Sequence, residues 1–362
     1  MRFSFAAMNY FQKILLLPFK LLYGSLIAMR HLLYDKGLLR RVSFDVPVLC
    51  VGNLSMGGSG KSPMVAWLLK NFGNHNPAIL SRGYGRRSKG FRWVQNRSTA
   101  EECGDEPLMI KRQFKELPVA VAENRSVAIP QIMMSYPETG LIIMDDGMQH
   151  LSVKPSMLVL MTSWSRPFTR DSLLPTGRLR EGRKRAKAAD LIVVSHCPDN
   201  TPPVEKEKLR REIGRYSKAP VFFADIDYGE IIRWKDGVPV DIADYASILA
   251  ISGLADNSAF AKYVAGRIPD AEILSYGDHQ RYRPSDIKIW IGKLNDKKSP
   301  RAILTSEKDI QRMAPYQDLL SSQGIELLVQ PIRIHFHEVE EDLKTIIEKK
   351  LAASAELLPK DQ

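Results

Sequence analysis

Val48-Leu49-Cys50-Val51 runs into GNLSMGGSGKS, Gly52 to Ser62, and then into MVAWLLKNF, residues 64 to 72. An apolar strand, a glycine-rich loop ending in Lys and Ser, and a helical pattern form the order in which backbone N–H groups and a helix N-terminus surround phosphates. Gly57, Gly58 and Gly60 allow turns that aim N–H groups inward, Lys61 can reach β and γ phosphates, and the Ser62 hydroxyl can hold magnesium. The strict pattern G-x-x-x-x-G-K-[ST] asks for glycine at position 55, where this chain has Ser55. The expected nucleotide-binding stretch is Ser55, Met56, Gly57, Gly58, Ser59, Gly60, Lys61 and Ser62.

Outward from this loop, short β-branched runs alternate with helical segments: PAILSRG, VAVAEN, LIIMDDG, SMLVLMT and DLIVVS. Continuous apolar strands separated by helix-length stretches indicate a parallel sheet covered by helices on both faces, an α/β fold of the P-loop NTPase kind. Leu141-Ile142-Ile143-Met144 delivers Asp145 and Asp146 at a strand end, where carboxylates meet a phosphate-bound metal. Alone, such a pair is also an ordinary turn or helix cap. After Val194 comes the proline-rich HCPDNTPPVEKEK, and the rhythm resumes with VFFADI, ASILAISG, AILTS and ELLVQ. The expected organisation is a core over 43–205, a smaller C-terminal α/β unit over 206–350 and a frayed tail over 351–362.

The chain has 362 residues, is 44% hydrophobic and carries 52 Lys+Arg against 41 Asp+Glu, a formal charge of +11. It is too apolar to be disordered, and the positive excess favours an anionic partner. Cys50, Cys103 and Cys197 lack the paired spacing of a disulfide framework or a zinc site, which points to a reducing compartment. The N-terminal segment 1–42 holds the apolar run Ile14–Met29, which carries Lys20 in its middle and Pro18 just before it. That run falls short of the roughly 20 apolar residues that a span requires, and no cleavage site follows it. It reads as an interfacial, membrane-associating helix whose Lys13, Lys20, Arg30, Arg40 and Arg41 meet anionic headgroups; a core-packed helix is the plainer alternative.

The ordered set GNLSMGGSGKSP (52–63), LSRGYGRR (80–87), GDEP (104–107), DDGMQH (145–150), LLPTGRLRE (173–181) and the Asp278-His279 pair resembles the lipid A 4′-kinases, the tetraacyldisaccharide 4′-kinase family. The resemblance runs from about residue 45 to 310. It implies transfer of the γ-phosphoryl group of ATP, with Mg2+, to the 4′-hydroxyl of a tetraacylated glucosamine disaccharide 1-phosphate. The product would be lipid IVA, an intermediate of lipopolysaccharide assembly, made at the cytoplasmic face of the bacterial inner membrane. The family also carries Ser or Thr at the place of Ser55.

A sugar hydroxyl is a poor nucleophile, so a carboxylate must position it and take its proton. The resemblance assigns this to Asp105, oriented by His279, although GDEP also reads as an ordinary helix start. With Asp105 placed in the first half and His279 in the second, a cleft between halves is expected to bring them together. The resemblance further implies Lys61 and Arg180 as charge-offsetting catalytic groups, and Ser62, Asp145, Asp146 and Glu181 as metal ligands. Arg82, Arg86 and Arg87 are candidates for phosphate contact. The run Arg178 to Lys187 has six basic residues in ten, either a solvated face or a headgroup dock. Roles for Gln149, His150 and Lys308, and the oligomeric state, stay open.

Two other readings compete. A membrane-docked ATPase or GTPase switch would use the same loop, but Ser306-Glu307-Lys308-Asp309 lacks the Asn of a guanine-reading N-K-x-D. A nucleic-acid partner fits the charge but no recognised module appears, and the basic run has no interleaved aromatics.

Overall fold

The computed structural model describes residues 10–295 and 297–356. Residues 1–9 of the N-terminal segment, 357–362 of the tail and the Lys13 side chain lie outside the described residues. The chain divides into two compact units, one made of 1–82, 117–226 and 334–362, the other of 83–116 and 227–333.

The sheet of the first unit includes the strands β1 (Val48–Asn53), β2 (Pro77–Ser81), β3 (Val119–Val121), β4 (Leu141–Asp145), β5 (Met157–Ser163), β6 (Leu191–Ser195) and β7 (Val221–Tyr228). They lie in the order β7-β6-β5-β1-β4-β2-β3, each paired in parallel with its neighbours. β1 sits mid-sheet, its Cys50 level with Met144 of β4 and Leu158 of β5. All six residues of β1 and all five of β4 are buried, the result of helices covering both faces of continuous apolar runs. Parallel neighbours need crossovers, which the helices Lys61–Asn71, Arg125–Ser135 and Pro203–Gly214 supply. The loop after β1 therefore opens at the C-terminal edge of the sheet, beside the end of β4, where α/β folds bind ligands.

The second unit has a five-stranded sheet, β8 (Ile232–Arg233), β9 (Ser247–Ser252), β10 (Glu272–Ser275), β11 (Arg301–Ser306) and β12 (Ile325–Gln330), in the order β10-β9-β11-β12-β8. β8 alone pairs antiparallel. Strand alternation sorts its core: Leu249, Ile251, Ile303, Leu327 and Val329 pack on one face with Trp290, whereas Ile248, Ala250, Ala302, Leu304 and Leu328 pack on the other with Phe260 and Val264.

The expected boundaries need correction in three places. VFFADI starts in the first unit rather than the second, because Val221 pairs with Ile192 and extends the parallel sheet. Residues 83–116, expected in the core, belong to the second unit. The tail expected at 351–362 is helical to Glu356 within Glu340–Glu356, which buries Leu343, Ile347 and Leu351 and ties Glu340 Oε2 to Trp67 Nε1 at 3.1 Å. Apolar spacing of three to four residues holds it on the first unit.

The N-terminal segment is helical over Tyr10–Leu15 and again over Leu17–Asp35, Pro18 falling in the first turn where its missing N–H costs nothing. No residue of the longer helix is buried, and Leu17, Phe19, Leu21, Leu22, Leu26, Met29 and Leu32 are exposed. Among the described residues no helix is long and apolar enough to cross a membrane.

Candidate active site

In the first unit the phosphate-type loop has the geometry its sequence predicts. Gly60 takes φ +73°, and a Cβ there would meet Ser195 Cβ at 2.9 Å, so glycine is required by both the backbone and the space. Lys61 starts the helix Lys61–Asn71, whose free N–H groups face the loop. Asn53 Nδ2 donates to Ser59 Oγ at 2.9 Å, and Ser195 Oγ donates to the Ser59 carbonyl at 3.0 Å, fixing the loop from below. Ser55 bridges Leu179 in antiparallel fashion, with Met56 N donating to Arg178 O at 2.8 Å and Arg180 N to Leu54 O at 2.7 Å. Ser55 is absent from the positive-φ residues, which explains why this position tolerates a side chain.

At the end of β4, Asp146 has φ +46°, a left-handed conformation that turns its carboxylate to the loop. It accepts from Arg180 at 3.0 and 3.2 Å and lies 3.8 Å from Lys61 Nζ. Burial works against its ionisation, but the Lys61 and Arg180 charges outweigh it and hold the carboxyl down to about 2. Arg180 also donates to Asn53 Oδ1. Asp145 is buried and accepts from Ser81 Oγ at 3.4 Å. Glu181, 2% exposed, lies against His31 Nε2 at 2.5 Å. Of the four expected metal ligands, Asp145, Asp146 and Glu181 thus already have side-chain partners. The oxygen donors of Ser62, Asp145 and Asp146 nonetheless suit Mg2+, which usually takes one or two carboxylates and completes its shell with phosphates and water. Among the described residues no three His, Cys, Asp or Glu side chains converge as a metal cage.

Arg125 carries no local sequence signal. Arg125, 3% exposed, donates to the carbonyls of Asp145 and Asp146 at 3.1 and 3.3 Å. Its backbone N–H donates to His150 Nε2 at 3.1 Å. Burial, with Arg125, Arg30 and Arg82 nearby, pushes His150 down to about 4, so it is a neutral acceptor. Gln149 Nε2 donates to Asn53 O at 2.9 Å, tying DDGMQH to the end of β1. From the N-terminal helix, Tyr23 Oη donates to Arg180 O at 3.0 Å and Arg30 to Gln149 O at 2.8 Å. Arg30 and Arg41, expected at headgroups, are engaged within the protein, Arg41 on Asp35 at 2.6 Å. In the basic run, Arg183 bonds Asp171 O at 2.5 Å, so that run is not one solvated face.

The second unit holds the other pair. Gly104, at φ +91° and packed on Gly83 and Tyr84 backbone, starts the helix Asp105–Gln113, as the plainer reading of GDEP expects. Asp105 is nonetheless 4% exposed, and its Oδ2 lies 3.0 Å from His279 Nδ1. Both residues belong to the second unit, so their meeting needs no cleft between halves; residues 83–116 fold with the C-terminal sheet. Burial would raise the Asp105 carboxyl, but the His279 hydrogen bond and the Lys308 and Arg312 charges lower it below the usual range. Lys308 Nζ lies 3.0 Å from Glu106 and Arg312 Nε 3.6 Å from Asp105. Arg86 and Arg87 are held locally, on Gly90 O and Glu101.

Comparison with known proteins agrees along most of the chain. The family model for tetraacyldisaccharide-1-P 4′-kinase matches residues 12–352. Tetraacyldisaccharide 4′-kinase of Flavobacterium johnsoniae is 37% identical over 309 residues, 84% of this chain and 88% of that protein. The Cytophaga hutchinsonii protein of the same name is 34% identical over 345 residues, 94% and 96% of the two chains. The crystal structure of LpxK from Aquifex aeolicus in complex with ATP superposes with TM-score 0.74 at 29% identity, covering 94% of this chain and 99% of that one.

Proposed function

The chain belongs to the tetraacyldisaccharide-1-P 4′-kinase family of lipid A biosynthesis, and from that premise we propose how its residues divide the reaction. The first unit binds ATP through 55–62, with loop N–H groups and the Lys61 ammonium on the β and γ phosphates. Arg180 offsets charge on the transferring group, and Asp146 holds both cations in place until the nucleotide draws them. Ser62 and Asp145 would hold magnesium, with Asp146 and Glu181 adjoining; the ion supplies charge neutralisation on the phosphates.

Asp105 is the proton acceptor. The acceptor 4′-hydroxyl oxygen bonds to the γ-phosphorus, the bond from that phosphorus to the β–γ bridging oxygen breaks, and the hydroxyl proton passes to Asp105 as ADP leaves. His279 orients Asp105. The exposed Leu and Phe of Leu17–Asp35 support a location on the cytoplasmic face of the inner membrane, where an acylated substrate is met.

The observation that carries the nucleotide half is the Lys61–Asp146–Arg180 network at a helix N-terminus in a chain so closely matched to the family. Transfer of label from γ-labelled ATP to a tetraacylated disaccharide 1-phosphate tests it. The expected result is acceptor-dependent label in the lipid; ATP hydrolysis indifferent to the acceptor would overturn it.

A further inference from the structure

The imidazole of His279 is pinned at both nitrogens, by groups of opposite charge. Nδ1 lies 3.0 Å from Asp105 Oδ2, and Nε2 lies 3.4 Å from Lys308 Nζ and 3.7 Å from Asp278 Oδ1. The ring is held in place: His279 has φ +53°, a left-handed conformation, and the Tyr84 ring packs with its centroid 5.0 Å away.

We propose that Lys308 is a positioning residue for the transfer, fixing His279 in the neutral form that carries its proton on Nδ1 and directs it at Asp105. This rests on the reading of Asp105 as the proton acceptor. Asp105 is an ionised carboxylate and can only accept, so Nδ1 must be the donor. Nε2 then has two possible states. A protonated Nε2 makes the ring an imidazolium directed at Asp278; a bare Nε2 accepts a hydrogen bond.

An ammonium has three donors and no acceptor, so Lys308 satisfies only the bare nitrogen. Lys308 stays charged because Glu106, Asp105 and Asp278 raise it above its usual range despite burial. Take Lys308 away, and Nε2 faces the Asp278 carboxylate, an acceptor 3.7 Å off that a protonated Nε2 can meet.

The state of the ring matters for the reaction. Beside an imidazolium, Asp105 is half of a full ion pair and a poor base. Beside a neutral ring it keeps its orientation through Nδ1–H and remains able to take the hydroxyl proton.

The test uses the full chain labelled with 15N-histidine, long-range 1H–15N correlation at pH 7.5, and His279→Gln to assign the signal among the seven histidines. The parent is expected to show the neutral Nδ1–H pattern. Lys308→Met is expected to show protonated Nε2 and to lose about 10- to 100-fold in kcat, with KM for ATP little changed. Lys308→Arg, which keeps the cation and its donors, is expected to restore the Nδ1–H pattern and most of the rate. An unchanged imidazole in folded Lys308→Met would overturn the assignment to Lys308, as would a changed imidazole with undiminished kcat. Full turnover in Asp105→Ala would instead overturn the reading of Asp105, and the catalytic half of this proposal with it.

Discussion

His31 Nε2 lies 2.5 Å from Glu181 Oε2, joining the N-terminal helix to a buried carboxylate beside Arg180. His31→Ala leaves that carboxylate without the imidazole, which costs about 1–3 kcal/mol when a buried polar group loses its partner. A fall in Tm of roughly 2–6 °C follows, together with reduced kcat. His31→Gln, which keeps a donor, is expected to recover much of both. Calorimetry and turnover check this, and unchanged values in His31→Ala would remove the link.

Asp146 gives a pH dependence of known sign. Its folded-state carboxyl is held to about 2 against an ordinary 3.8. The contribution is therefore complete above the ordinary value and is lost as pH falls from about 4 toward 2. Asp146→Asn should flatten the Tm curve in that window. At neutral pH it should lower kcat by about 10²- to 10³-fold, the range for losing one charge-organising group. A variant with parental turnover would take Asp146 out of the site.

His150 acts in a different window. Its folded state is pushed down to about 4 from an ordinary 6.5, so the unfolded chain takes up a proton first. Stability falls as pH drops from about 6.5 to 4 and levels off below. His150→Gln, still an acceptor for the Arg125 N–H, is expected to lose that slope while folding normally. A parallel Tm profile in parent and variant would contradict it.

Gly60→Ala puts a Cβ on a residue at φ +73° and 2.9 Å from Ser195 Cβ. The backbone term alone is about 1–2 kcal/mol, and relief of the contact must move the loop from the nucleotide phosphates. Nucleotide titration should show affinity lost at least ~10-fold. Gly58→Ala is the stability control, because nothing lies within 4 Å of its Cβ position.

Membrane attachment is better tested by surface substitution than by deleting residues 1–30, since deletion would also remove the Tyr23 and Arg30 contacts to Arg180 and Gln149. Leu22 and Leu26 are 60% and 52% exposed. Each buried leucine contributes about 1.5–3 kcal/mol, so Leu22→Glu with Leu26→Glu should weaken partitioning onto anionic vesicles by at least ~100-fold. ATP binding without lipid should be unchanged. Equal sedimentation with vesicles would sink the interfacial helix.

Local physics made much of this protein legible. The strand, glycine loop and helix from Val48 to Asn71 are contiguous, and each residue type answers a nearby backbone or phosphate requirement, so the P-loop sheet could be read directly. Hydrophobic runs such as LIIMD and SILAIS likewise announced buried strands, because burial on both faces leaves no polar position to interrupt them. The GDEP start of a helix was visible for the same reason.

What the tertiary structure decided are the meetings across long separations. Nothing in MRHLLYD points to Glu181, which lies 150 residues on, and nothing around Lys308 points to Glu106, 202 residues away. Residues 83–116 leave the first unit and fold with 227–333, which puts Asp105 and His279 in one unit where sequence order suggested two. Side-chain chemistry over a few residues is set by spacing along the chain, whereas ion pairs such as Asp146 with Lys61 and Arg180 depend on which strand ends the parallel order places side by side.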